Sequence, residues 1–139
     1  MLDELEAGGR KPTVREVIDA IIYPSVDVMG EGDEDCYLRL TQILHITHQE
    51  LFESAVANRY NAGYQRCLAL LRELMPPMPR ELASQRLVFV GTYIEQILAA
   101  RLTALADKSR PHTIWPSDRT LRHLSKTAAA IAMAPVEEA

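Results

Sequence analysis

Between Thr47 and Ser109 two long stretches of helical periodicity are separated only by Met75-Pro76-Pro77-Met78-Pro79. The second stretch, from about Arg80 to Asp107, carries two apolar faces where a helix on the surface of a small domain needs one. Stepping about 100° per residue puts Leu82, Arg86, Phe89, Tyr93 and Ala100 in one sector. Leu87, Gly91, Ile94, Leu98, Leu102 and Leu105 fall in another, roughly 130° away by the same arithmetic. A helix with two faces to bury packs against its own domain on one side and a second subunit on the other. The series Leu87, Gly91, Ile94, Leu98, Leu105 is nearly heptad, as suits helices crossing at a shallow angle, and Gly91 permits close approach. The partner is therefore assigned to that series and the chain's own core to the first sector.

The rest of the chain is also helical in pattern. No segment sustains period-two alternation, and most Gly and Pro residues fall between periodic stretches, which predicts an all-α fold of five to six helices. Leu2 to Ala7 reads as the last turns of a helix stopped by Gly8-Gly9, with Arg10-Lys11-Pro12 as linker. Thr13-Val14-Arg15-Glu16 is a capping box. The helix it opens places Val14, Val17, Ile18, Ile21, Ile22, Val28 and Met29 on one face, is expected to kink near Tyr23 at Pro24, and ends at Gly30 and Gly32. Asp33 can cap a third helix ending near Ile46, and Thr47-His48-Gln49-Glu50 is a second capping box. It opens a pattern of about 28 residues, roughly 42 Å of helix. After a loop with Pro111, Trp115 and Pro116, Ser117 or Asp118 caps a last helix with the narrow stripe Leu121, Leu124, Ala128, Ile131 and Ala132.

Composition excludes several functions. With 139 residues, 47% of them hydrophobic, there is one core and no room for two domains. A net charge of −4 is the wrong sign for a chain that grips a phosphate backbone. The basic run Arg119, Arg122, His123 and Lys126 lacks interleaved aromatics and reads as a solvated helix flank. Cys36 and Cys67 have neither CxxC nor Cys/His spacing and are expected to be reduced, buried thiols. No signal peptide opens the sequence, and the apolar run Ala128 to Val136 is far shorter than the roughly 20 residues of a membrane span. The expected setting is the cytoplasm, with no membrane association.

Leu5-Glu6-Ala7 to Arg10-Lys11-Pro12 followed by Thr13-Val14-Arg15-Glu16-Val17-Ile18-Asp19-Ala20 resembles the entry into the regulatory domain of TetR-type transcriptional regulators. The subsequent order resembles it too: a proline-containing helix, a shorter one, a long one opening near Thr47-His48, the two-faced helix and an alanine-rich last helix. The resemblance implies residues 1–12 as the end of a connecting helix and linker, and 13–139 as an effector-binding and dimerisation domain. It implies a homodimer in which the last two long helices of each subunit form a four-helix bundle. It also implies a pocket within the earlier helices for a small-molecule effector. Members begin with a three-helix DNA-binding head, for which there is no room before Thr13, so contact with DNA would come only through such a head.

No catalytic residue, metal site or cofactor is assigned. There is no Glu-x-x-His pair, glycine-rich phosphate loop or Gly-x-Ser-x-Gly elbow, and His45 and His48 lack further ligands. The expected effector pocket comprises Tyr23, His48, Phe52, Val56, Arg59, Arg86, Phe89 and Tyr93, an apolar and aromatic wall with a few polar groups. Arg59 and Arg86 would favour a small hydrophobic or aromatic ligand with an acidic group. The expected dimer interface is Leu87, Gly91, Ile94, Leu98, Leu105, Leu121, Leu124, Ala128 and Ile131. The competing reading is a stand-alone helical dimer with a structural or protein-interaction role and no effector.

Overall fold

A computed structural model describes residues 2–28, 47, 50 and 62–137, and all regular structure among them is helical. The elements are α1 (Leu2–Ala7), α2 (Val14–Val28), α3 (Ala62–Leu74), α4 (Arg80–Ala106) and α5 (Asp118–Ala132). The third helix expected from Asp33 to Ile46, the second capping box apart from the helical Thr47 and Glu50, and the first half of the long helix lie outside the described residues.

Local chemistry sets the element ends where the sequence places them. Gly9, at φ 70°, takes the left-handed conformation that closes α1 and that a β-carbon would oppose. The Thr13 box is formed in both directions: the Thr13 N–H donates to Glu16 Oε2 at 2.8 Å, and the Glu16 N–H donates to Thr13 Oγ1 at 3.2 Å. Arg10 adds a 2.6 Å ion pair to the same carboxylate. α2 then runs through Pro24 to Val28 without interruption of the helix. Ser117 is the residue that caps α5, accepting from the Arg119 N–H at 3.1 Å.

The Glu16 carboxyl is held down to about 2, first by the Arg10 hydrogen bond and then by the Thr13 backbone. A depressed carboxyl stabilises above its ordinary range and loses that contribution as pH falls through the range toward the folded value. Fraying at the start of α2 is therefore expected only as pH drops from the ordinary glutamate range to about 2. A carbon-detected NMR titration of Glu16 checks this. Arg10→Gln should move the midpoint upward, and an unchanged midpoint would show that the ion pair does not form in solution.

Four helices close a ring around one core: α5 packs against α2 and α4, and α3 against α2 and, more lightly, α4. Val17, Ile18 and Ile22 enter from α2, Cys67 and Leu71 from α3, and Met75 from the break that follows it. Ala83, Leu87, Val90, Ile94 and Leu98 enter from α4, and Leu121, Leu124, Ala128 and Ala132 from α5. Burial raises the Cys67 thiol above its usual range, as expected of an inert core cysteine; Cys36 lies outside the described residues.

This arrangement corrects the assignment of faces on α4. Leu87, Ile94, Leu98, Leu121, Leu124 and Ala128 are each at most 6% exposed within the single chain, leaving almost no surface for a partner. Leu105 and Ile131 are partly buried. Phe89, placed in the interior from the sequence, is 56% exposed. Both sectors have near-heptad spacing, and the ring takes the more strongly apolar one because its Leu and Ile side chains lose most by facing water.

A polar seam joins α2 to α5 inside this ring. The fully buried Ser125 donates its hydroxyl to Asp19 Oδ1 and accepts from Arg15 Nε at 3.3 Å. Arg15 Nη2 also reaches the Arg122 carbonyl at 3.0 Å. Ser125 lies among the apolar positions of α5, where its hydroxyl is satisfied only because Asp19 and Arg15 face it from α2.

Candidate functional site

α4 is central because it borders three environments: the core, α3 and solvent. Its outer line Leu82, Gln85, Phe89, Thr92, Gln96, Ala100, Thr103 is exposed at every position and carries no charge. The steps are all of three or four residues, the pattern of a helix that meets another helix along a seam. An ordinary solvated helix face of that length would carry Lys, Glu or Arg. α5 extends the surface, because Tyr93 Oη and Thr127 Oγ1 lie 2.8 Å apart and set His123, Thr127 and Ala130 beside the line. By length and composition α4 could cross a bilayer, but within this domain its apolar content is divided between a buried stripe and this outer line.

The residues expected to form an effector pocket are not brought together by the described part of the structure. His48, Phe52, Val56 and Arg59 lie outside the described residues. Tyr23 packs, half-buried, on the core. Arg86 is occupied elsewhere: its guanidinium donates to the carbonyls of Ala132 at 3.3 Å, Ala134, and Pro135 at 3.4 Å, satisfying acceptors left free where α5 ends. The described residues thus give Arg86 a structural role at the end of α5. Phe89 faces outward, while Tyr93 packs partly buried against the core and is bonded to Thr127.

Gly91 also has a different neighbour from the one expected. A β-carbon there would lie 2.7 Å from the Tyr64 hydroxyl, so its close approach is to α3 of the same chain. Burial, with Glu95 and Cys67 nearby, raises the Tyr64 phenol above its usual value.

Between α3 and α4 lies a groove of about 630 Å³, lined by Tyr64, Gln65, Leu68, Ala69, Arg72 and Glu73 from α3 and by Ser84, Leu87 and Val88 from α4. Arg72 Nη2 donates to Ser84 Oγ at 3.2 Å across it. The sequence offered little warning of this site, since Arg72 and Ser84 stand on separate helices. The proline-rich break between them was the available sign that α3 and α4 pack as neighbours.

The α4–α5 connection is a hydrogen-bonded loop with an exposed tip. Asp107 accepts from the Ser109 N–H at 2.9 Å and hydroxyl at 2.5 Å and meets His112 Nε2 at 3.1 Å, which together bring its carboxyl down to about 2. Arg101 holds the Trp115 carbonyl at 3.1 Å and Thr120 the Ile114 carbonyl at 2.6 Å. Arg119, Arg122, His123 and Lys126 are exposed along α5, as a solvated flank requires.

No curated protein and no solved structure matches the chain. A family model described as tetracyclin repressor-like, C-terminal domain, matches residues 19–132, from the second turn of α2 to the last residue of α5. That span covers more than half of the chain and takes in α3, α4, α5 and most of α2, so the chain belongs to the TetR-like C-terminal domain family.

Proposed function

We infer that this chain is the regulatory domain of a TetR-type transcriptional regulator, acting as a cytoplasmic homodimer that senses a small hydrophobic or aromatic effector, acidic or neutral. It is not an enzyme, and any hold on DNA comes from a helix-turn-helix head on the N-terminal side of α1. The observation that carries the dimer is the uncharged, exposed line from Leu82 to Thr103, flanked by α5. A two-fold axis along it would place α4 and α5 of each subunit against those of the other as a four-helix bundle. Leu82, Phe89, Ala100, Thr127 and Ala130 then take the contact role that the sequence assigned to Leu87, Ile94 and Leu98.

Coupling toward α1 has a physical route. Arg66 on α3 forms a 2.6 Å ion pair with Asp3 on α1, and α3 also forms one wall of the groove. A ligand that moves α3 would therefore disturb the support of α1. An effector is expected to raise the melting temperature of the purified chain, because it binds only the folded state. The test is a thermal-shift screen of hydrophobic and aromatic acids, run alongside sedimentation velocity at several protein concentrations. A dimer with no stabilising ligand in a broad screen would favour the stand-alone structural role instead.

A further inference from the structure

The geometry points to the α3–α4 groove as the effector site, binding an amphipathic monocarboxylate with its head group on Arg72 and Ser84 and its apolar body along Leu68, Leu87 and Val88. This deepens the regulatory reading and rests on it. The groove's volume, about 630 Å³, falls within the range of small-molecule sites, roughly 300–1,000 Å³. Its two ends differ in chemistry. At the end beside the proline-rich break, Arg72 makes one hydrogen bond, to the neutral Ser84 hydroxyl, and has no ion-pair partner among the described residues. At the other end the half-buried Tyr64 phenol sits over Gly91.

A guanidinium has five N–H donors in a planar fork, so Arg72 retains donors after its bond to Ser84. Ser84 accepts from Arg72, which leaves its own proton free to donate. A positive fork beside a hydroxyl donor suits a carboxylate, whose two oxygens can accept from both. Glu73 stands exposed on the same wall, and its negative charge favours a singly charged head over a dianion such as a phosphate monoester. From Arg72 to Tyr64 is eight residues of α3, about 12 Å at the helical rise. That distance is bridged by Leu68, Leu87 and Val88, of which Val88 is 63% exposed. A medium-length acyl or arylalkyl body fits the span, and its removal from water supplies the driving force.

The test is isothermal titration of the full chain with decanoate, decanol and decyltrimethylammonium, each below its aggregation limit. Decanoate should bind at least tenfold more tightly than decanol, and the quaternary amine weakest. Arg72→Gln should weaken decanoate at least tenfold while leaving decanol unchanged, and Ser84→Ala should weaken decanoate a few-fold. Val88→Asp, at an exposed position that does not threaten folding, should weaken both decanoate and decanol. Equal affinity for all three probes, or decanoate binding indifferent to Arg72→Gln and Val88→Asp, would overturn the site. So would a change in sedimentation coefficient in those two variants, which would make the groove a contact between subunits.

The site and the regulatory reading can fail separately. A stabilising ligand from the wider screen that ignores both substitutions keeps the regulator and eliminates this groove. Decanoate held by Arg72 with no change in amide hydrogen exchange at α1 keeps the groove and counts against regulation.

Discussion

Ile94→Glu is expected to abolish the folded domain. Ile94 is 3% exposed, midway along α4 in the core stripe, with α2, α3 and α5 closing the ring around that core. Glutamate there loses the burial of a large aliphatic side chain, worth about 1.5–3 kcal/mol. It must also ionise without a partner in the core or take up a proton, at a further cost of several kcal/mol. A domain of this size is stable by about 5–15 kcal/mol, so the two losses remove most or all of it. Circular dichroism melting should show either no cooperative transition or a greatly lowered midpoint at neutral pH, with partial recovery in mild acid as the carboxyl becomes neutral. A variant that melts within a few degrees of the parent would mean that this face of α4 does not form the chain's own core.

The companion substitution, Phe89→Glu, lies less than two turns away and should have the opposite outcome. Phe89 is already 56% exposed, so a charge there meets water and leaves the fold and its melting transition nearly intact in the isolated subunit. What it removes is the largest apolar side chain of the uncharged line. In a two-fold dimer each change appears twice, and two like charges are brought together near the axis. Losing even about 1–2 kcal/mol per Phe89, with repulsion added, weakens association by on the order of a hundredfold or more. Sedimentation velocity should then give a species near the 15.6 kDa of one chain where the parent gives twice that mass. A parent that is itself monomeric, or a Phe89→Glu variant that remains dimeric, would remove α4–α5 as the interface.

These two residues also show where sequence reasoning stops. The all-helical class, the Thr13–Glu16 cap, the glycine stop after α1, the Ser117 cap and the limits of α4 are all local. Each depends on residues within a turn or two of one another, so spacing alone reveals them. The presence of two faces on α4 was legible for the same reason. Which face turned inward was not, because periodicity records that apolar residues share a line and says nothing of what the line meets. Gly91 illustrates this: its missing side chain did mark a close approach, but the neighbour is Tyr64 of the same chain.

The polar contacts were less legible still. Arg86 looked like a ligand contact because a cation beside aromatic residues suggests a binding wall, yet it bonds carbonyls 46 to 49 positions away. Ser125 reads as an ordinary small residue until Asp19 and Arg15 arrive from α2, more than 100 positions earlier. Arg72 drew no attention, and only the approach of α4 gives it Ser84 as a neighbour.

The sequence by itself determined that this chain is helical, where α1 stops, where α2 and α5 start, and that α4 has more than one surface to satisfy. These are consequences of short-range hydrogen bonding and of the 3.6-residue period, which act before any helix meets another. The tertiary structure decided the ownership of each surface: Leu87, Ile94 and Leu98 to the core, Phe89 to the outside, Arg86 to the end of α5, and Arg72 to a groove. Those assignments depend on which helices close the ring and on the order in which they do so. That order is set by the total apolar area the whole ring removes from water, a property of the assembled helices that no single helix carries.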